Sequence, residues 1–132
     1  GKSFFAGCIA NALLEKGVPV LMTNFSRILN TLTGMHFEDR NQFIDSLNRY
    51  SLLIIDDLGT ELTNSFVSSQ LFLCINERIM RKKSTIISTN LKLEDFSATY
   101  SERTFSRIAS NYQMTKLVGK DIRIQKIFLG GK

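Results

Sequence analysis

Two kinds of apolar block alternate along this chain, one with residues spaced by three and four, the other an unbroken run. Phe5, Cys8, Ile9, Ala12 and Leu13 have the first spacing and predict a helix with those side chains inward, closed by Gly17. "VPVLMTN" follows as a short strand with Pro19 at its start. "FSRILNTL" predicts a short helix with Ser26 as candidate cap, ended by Gly34. "FEDRNQFIDSLNRY" predicts another, with Phe43, Ile44 and Leu47 inward. "SLLIIDDLG" is an apolar run closed by two acids, the pattern of a strand buried on both faces of a parallel sheet. "NSFVSSQLFLCINERIMRKK" predicts a long helix capped by Asn64 or Ser65, with Val67, Leu71, Cys74, Ile75, Arg78 and Ile79 at helical spacing. "STIISTN" is a third strand, "SERTFSRIASN" a short helix, and "YQMTKLVG" and "DIRIQKIFL" two late strand-like pieces.

Helix and strand alternate, and the strands are short and apolar. That order predicts an α/β fold in three layers around a mostly parallel sheet. Such sheets bind ligands beyond the carboxyl ends of their strands. The polar residues of the pattern collect there, as Thr23-Asn24, Asp56-Asp57 and Thr89-Asn90.

Composition narrows the setting. An apolar share of 43% fits a packed core rather than a disordered chain, and 132 residues fit one domain. No apolar run approaches the roughly 18 residues needed to cross a membrane. The opening has no basic stretch leading into an apolar core, so the expected location is the cytoplasm, with no membrane partner. Cys8 and Cys74 occupy apolar helical positions and read as buried thiols, and the single histidine, His36, gives a Cys/His metal site too few ligands. The net charge of +5 permits contact with nucleic acid without requiring it. Positive charge is thickest at Arg78, Arg81, Lys82 and Lys83, where a helix C-terminus explains it as well as DNA does, and again from Lys116 to Lys132.

The candidate chemistry begins at Gly1-Lys2-Ser3, at the head of the first helix. A complete phosphate-binding loop, G-x-x-x-x-G-K-S/T, lies between a strand and a helix. Its glycines let backbone N–H groups close around phosphates, its lysine faces the β- and γ-phosphates, and its hydroxyl joins the Mg2+ shell. Alone, the triplet is a lysine and a serine at a helix start. The strand ending in Asp56 adds an acid that can hold Mg2+ through water beside Ser3, and Asp57 can orient or activate the attacking water. The plainer role of both acids is to make a turn. Asn90, closing the next strand, can hydrogen-bond a γ-phosphate or the lytic water. Arg103 and Arg107 share one helix face, and phosphoryl transfer gains from a guanidinium supplied by a neighbouring subunit. Pairing with Glu102 or with solvent is their other use. The conjunction of these motifs points to ATP and Mg2+ as ligands.

With these residues in hand, "GKS" and its helix, "LLIIDDLGTE", "NERIMRKKSTIISTNL" and "SERTFSRI" resemble the AAA+ ATPase domain of bacterial replicative-helicase loaders (the DnaC/DnaI type). They equally resemble its relatives, the ATPase subunits of insertion-sequence transposons (the IstB type). The matching pieces keep their order over most of the chain. The resemblance implies a P-loop NTPase core over residues 1–132, with no separate lid domain and with the first strand and half of the P-loop absent. The family carries that strand between its sensor 1 strand and its final strand. The expectation is that the protein extends upstream of Gly1, with a further small domain for the helicase. It is also that the sheet of this chain has a gap flanked by unpaired backbone groups.

The resemblance further implies that Gly1, Lys2 and Ser3, with Phe4 beside them, bind the nucleotide, and that Ser3 and Asp56 hold the metal. Asp57 stands where many AAA+ proteins have glutamate; the shorter acid holds water less closely, which argues for slow hydrolysis. Asn90 matches sensor 1. Arg107 best matches the arginine finger, with Arg103 in reserve, and Arg123 in "GKDIR" is a further candidate near the nucleotide. The implied protein is an ATPase of the primosome, a homo-oligomeric switch with ATP at its subunit interfaces and with the replicative helicase and single-stranded DNA as partners. A transposition ATPase shares every motif. A module that holds nucleotide or single-stranded DNA with little turnover is the alternative of another class.

Overall fold

Strand β2 (Leu52–Leu58) is the centre of the parallel sheet. Its Leu52 and Ile54 face one side, Leu53 and Ile55 the other, and all four are buried, as an apolar run without alternation requires. The computed structural model describes residues 2–118 and 124–130. Helix α1 (Lys2–Glu15) leads into strand β1 (Val20–Asn24), and helices α2 (Phe25–Thr33) and α3 (Phe37–Leu47) carry the chain to β2. Helix α4 (Ser65–Met80) follows, then strand β3 (Ser84–Thr89), helices α5 (Leu93–Thr99) and α6 (Glu102–Asn111), and strands β4 (Tyr112–Val118) and β5 (Ile124–Gly130). The sheet order is β1-β2-β3-β5-β4, with β1, β2 and β3 parallel.

Two cores sandwich this sheet. Leu53, Ile55 and Ile87 pack beneath residues of α2, α3, α4, α5 and α6, while Leu52, Ile54 and Ile86 pack with Ala6 and Ala10 of α1 on the other face. The three layers are therefore as the alternation of elements predicts.

The last strands differ from expectation. No gap flanks β3 among the described residues: β5 pairs with it antiparallel, Thr85 opposite Gly130 and Thr89 opposite Lys126, and β4 pairs antiparallel with β5. An open edge of β3 would leave a row of backbone N–H and C=O groups without partners, and β5 supplies them.

The face of α1 is also corrected. Ala6 and Ala10 are buried and Ile9 and Leu13 pack beside them, whereas Phe5, Cys8 and Ala12 are exposed. Apolar residues lie all round this helix, so spacing alone does not select a face. The alanines do, because small side chains let the helix approach the sheet closely. Cys8 is accordingly an exposed thiol, and only Cys74 is the buried one. Helix α2 is capped by Asn24 rather than Ser26: its side-chain oxygen accepts from the Arg27 N–H at 2.9 Å. Asn64 caps α4 in the same way, through the Val67 N–H.

Arg78, expected within a surface cluster of charge, is 1% exposed. Its guanidinium donates to Leu47 O at 3.0 Å, Tyr50 O at 2.8 Å and Thr85 Oγ1 at 3.2 Å, and also to Ser84 O. It thus ties together the end of α3, the approach to β2 and the start of β3. Burial lowers its pKa to about 10, which leaves it charged at neutral pH. Arg81 pairs with Asp45 at 2.7 Å on the surface.

Candidate functional site

The parallel strands end together, and the polar residues gather at that edge. Asn24 is the register partner of Asp56, and β3 finishes at Thr89, one residue before Asn90. Helix α1 packs on this sheet and joins β1 through the short connection 16–19, so it runs antiparallel to β1. Its first turn, at Lys2, therefore lies at the edge where the strands end. A helix N-terminus there turns free N–H groups toward any anion held at the edge.

Asp56 and Asp57 sit in a bulge. Ile55 pairs with Ile87 and Leu58 with Thr89, so two residues of β2 oppose the single Ser88 of β3. Asp57 takes a left-handed backbone, φ 56°, which aspartate adopts more readily than most residues. Ser88 is fully buried and serves both acids: the Asp57 N–H donates to its Oγ at 2.9 Å, and its hydroxyl donates to Asp56 Oδ1.

The turn after the bulge is held from several sides. Thr60 Oγ1 donates to Asp57 O at 3.1 Å and Thr89 Oγ1 to Leu58 O at 2.6 Å. Gly59 has φ 108°, and a Cβ there would fall 2.8 Å from Leu91 Cγ, so only glycine fits. The Gly59 N–H donates to Glu61 Oε2 at 3.4 Å, and Tyr100, buried at the end of α5, donates its hydroxyl to Glu61 Oε1. Burial, and then the bond to Glu61, push the Tyr100 phenol far above its ordinary range. A cleft of about 110 Å³ opens beside this turn, lined by Asp57, Leu58, Gly59, Thr60, Asn90 and Leu91.

The structure thus brings Asp57 and Asn90 to one cleft, with Asp56 beside them through Ser88. Gly1 and Arg123 lie outside the described residues, as do the side chains of Lys2 and Ser3 and those of the basic stretch from Lys116. Phe4 is exposed in the first turn of α1. Arg103 and Arg107, one turn apart, are both exposed, and Arg103 stacks over the Phe72 ring of α4, 4.1 Å from its centroid. Ser88, Glu61 and Tyr100 were not singled out from sequence, although the first two lie inside the quoted "STN" and "DDLGTE". Among the described residues no group of three His, Cys, Asp or Glu gathers to hold a metal, and no helix is long and apolar enough to cross a membrane. The oxygen donor offered by Asp56 suits a hard cation such as Mg2+, which commonly takes one or two carboxylates and completes its shell with water and phosphate.

A parallel sheet with acids and an amide on its carboxyl edge, and a helix beginning at that edge, define the core of a P-loop NTPase of the AAA+ kind. The chain belongs to the family of IstB-like ATP binding proteins, which matches residues 1–114. It is similar to the replicative helicase loader DnaC of Escherichia coli (strain K12), 24% identical over 111 residues that cover 82% of this chain and 45% of that protein. It is likewise similar to the replicative helicase loader DnaC of Buchnera aphidicola subsp. Baizongia pistaciae (strain Bp), 25% identical over 112 residues covering 82% and 46%. The chain spans about half the length of these curated relatives.

Proposed function

We propose that this chain is the ATP-hydrolysing core of a cytoplasmic replication protein of the helicase-loader kind, a slow, Mg2+-dependent switch that works between copies of itself. The observation that carries this is the cleft shared by Asp57 and Asn90, with Asp56 bonded alongside at the carboxyl edge of the parallel strands. The cleft is small and open, suited to a phosphoryl group and a water rather than to a whole nucleotide, so it takes the reacting end of the substrate. Asp57 orients the attacking water there, and Asn90 hydrogen-bonds that water or the γ-phosphate. Asp56 and Ser3 hold Mg2+, which when bound neutralises charge on the phosphates. Gly1, Lys2, Ser3 and Phe4 form the phosphate-binding start of α1, with Lys2 as the charge on the β- and γ-phosphates.

Arg107 is the arginine finger of a neighbouring copy. Both arginines are exposed, and the stacking of Arg103 on Phe72 gives that one a place within its own subunit and leaves Arg107 for the neighbour. Loss of the γ-phosphate removes the contacts that Lys2 and the neighbour's Arg107 make, and the assembly loosens. The similarity to the DnaC loaders supports a replicative helicase as partner, with single-stranded DNA as the second ligand. The family match supports an alternative, an ATPase that assists a transposase.

In the intact protein, Asp56→Ala and Asn90→Ala are each expected to lower kcat for ATP hydrolysis by about a hundredfold or more. Wild-type protein that binds ATP with Mg2+ and never hydrolyses it would leave a binding module instead. Co-purification with a replicative helicase supports the loader, and with a transposase the alternative.

A further inference from the structure

Ser88 lies in "STN", a stretch whose asparagine alone has a role in the proposed chemistry. It is fully buried, opposite the bulge, and its one hydroxyl meets both acids. The Asp57 N–H enters the oxygen at 2.9 Å, so the hydroxyl proton points away from that N–H and into Asp56 Oδ1. A serine hydroxyl can turn freely in solvent; here its direction is set by the backbone donor, and it in turn sets the rotation of the Asp56 carboxylate. The left-handed backbone of Asp57 is held by the same oxygen. One side chain therefore fixes the orientation of the metal-holding acid and the placement of the water-orienting acid relative to it.

We infer that Ser88 is a positioning residue, which sets the Asp56 carboxylate for Mg2+ and keeps Asp56 and Asp57 in one relative geometry. The inference rests on the assignment of these acids above. Hydroxyl groups that orient a metal-binding carboxylate affect metal affinity without touching the ion. Thr89, the next residue, has a separate duty, holding Leu58 O and the Leu91 N–H, and does not replace Ser88.

The test uses the intact protein and a fluorescent ADP analogue, titrated with Mg2+ and, separately, bound in the presence of chelator. Ser88→Ala is expected to raise the Mg2+ concentration for half-maximal binding about tenfold, with metal-free binding unchanged. Its kcat for ATP is expected to stay low even at saturating Mg2+, because the Asp57 backbone has lost its anchor. Ser88→Thr, which keeps the hydroxyl, is expected to return Mg2+ dependence to within about twofold of wild type. Should Ser88→Ala not fold, Ser88→Cys keeps the volume with a weaker donor and is expected to shift in the same direction. Wild-type Mg2+ dependence and kcat in a folded Ala or Cys variant would overturn the inference. Asp56→Ala separates the two levels. If it loses Mg2+ dependence while the Ser88 variants keep it, only the role of Ser88 fails. If it too matches wild type, the metal assignment of Asp56 fails first.

Discussion

Cys74, Tyr100 and Tyr112 are buried acids that the fold holds neutral. Burial pushes the Cys74 thiol up to about 12 from 9.0, partly offset by Arg78, and raises both phenols above 10.0. The unfolded chain gives up these protons from about pH 9 upward, while the folded chain keeps them. It then binds fewer protons than the folded state, so stability falls as pH rises through this window. Each proton of difference costs about 1.4 kcal/mol per pH unit. Arg78 acts in the opposite sense from about pH 10, because its folded pKa is the lower one. Urea denaturation between pH 7 and pH 10 is expected to show a midpoint that declines above pH 9, and Cys74→Ala to flatten the first part of that decline. A midpoint constant across the range would contradict it. At this scale the sequence singles out Asp57 and Asn90 by their own identity at strand ends, and the structure brings both to one cleft. The bridge of Ser88 was not, because it exists only through the two-against-one register of the bulge, which pairs residues far apart in the chain.

Among the elements, α4 shows how a charged residue becomes structural. In the sequence Arg78 shares the helical spacing of the apolar residues and also belongs to a basic cluster at the helix end; the structure resolves the two by giving it four acceptors at the bases of three elements. Arg78→Leu keeps the stem but strands those oxygens in the interior. It is expected to destabilise the protein by about 3 kcal/mol, measured by urea denaturation. A loss below about 1 kcal/mol would mean that water reaches these carbonyls and replaces the arginine. The strands β1 to β3 were readable because each is a short apolar block followed by polar residues. Helix α5 was not anticipated: it is short, and its N-cap residue Lys92 makes no side-chain cap. What fixes it is the burial of Phe96 and the packing of that ring with Tyr100, their centroids 5.1 Å apart, which are tertiary contacts.

For the whole molecule, the parallel half of the sheet followed from the alternation of elements, and the neighbour of β3 did not. Strand order there depends on which segment satisfies an open edge, a non-local competition that periodicity does not encode. Assembly is likewise a property of several copies, and the exposed Arg107 makes it testable. Asp57→Asn and Arg107→Ala subunits should each be nearly inactive alone. Mixed in equal amounts, they should recover about a quarter of the wild-type sites, those pairing an intact Asp57 with a neighbour's intact Arg107. No recovery in a mixture that co-assembles would place Arg107 in its own subunit's site. The bond from Tyr100 to Glu61 bears on the same question. Tyr100 closes α5, and the next residue, Ser101, caps α6, the helix bearing both arginines. The turn beside Asp57 and the root of that helix thus share a fastening. A turn that shifts must either let go of the phenol or drag the arginine helix along.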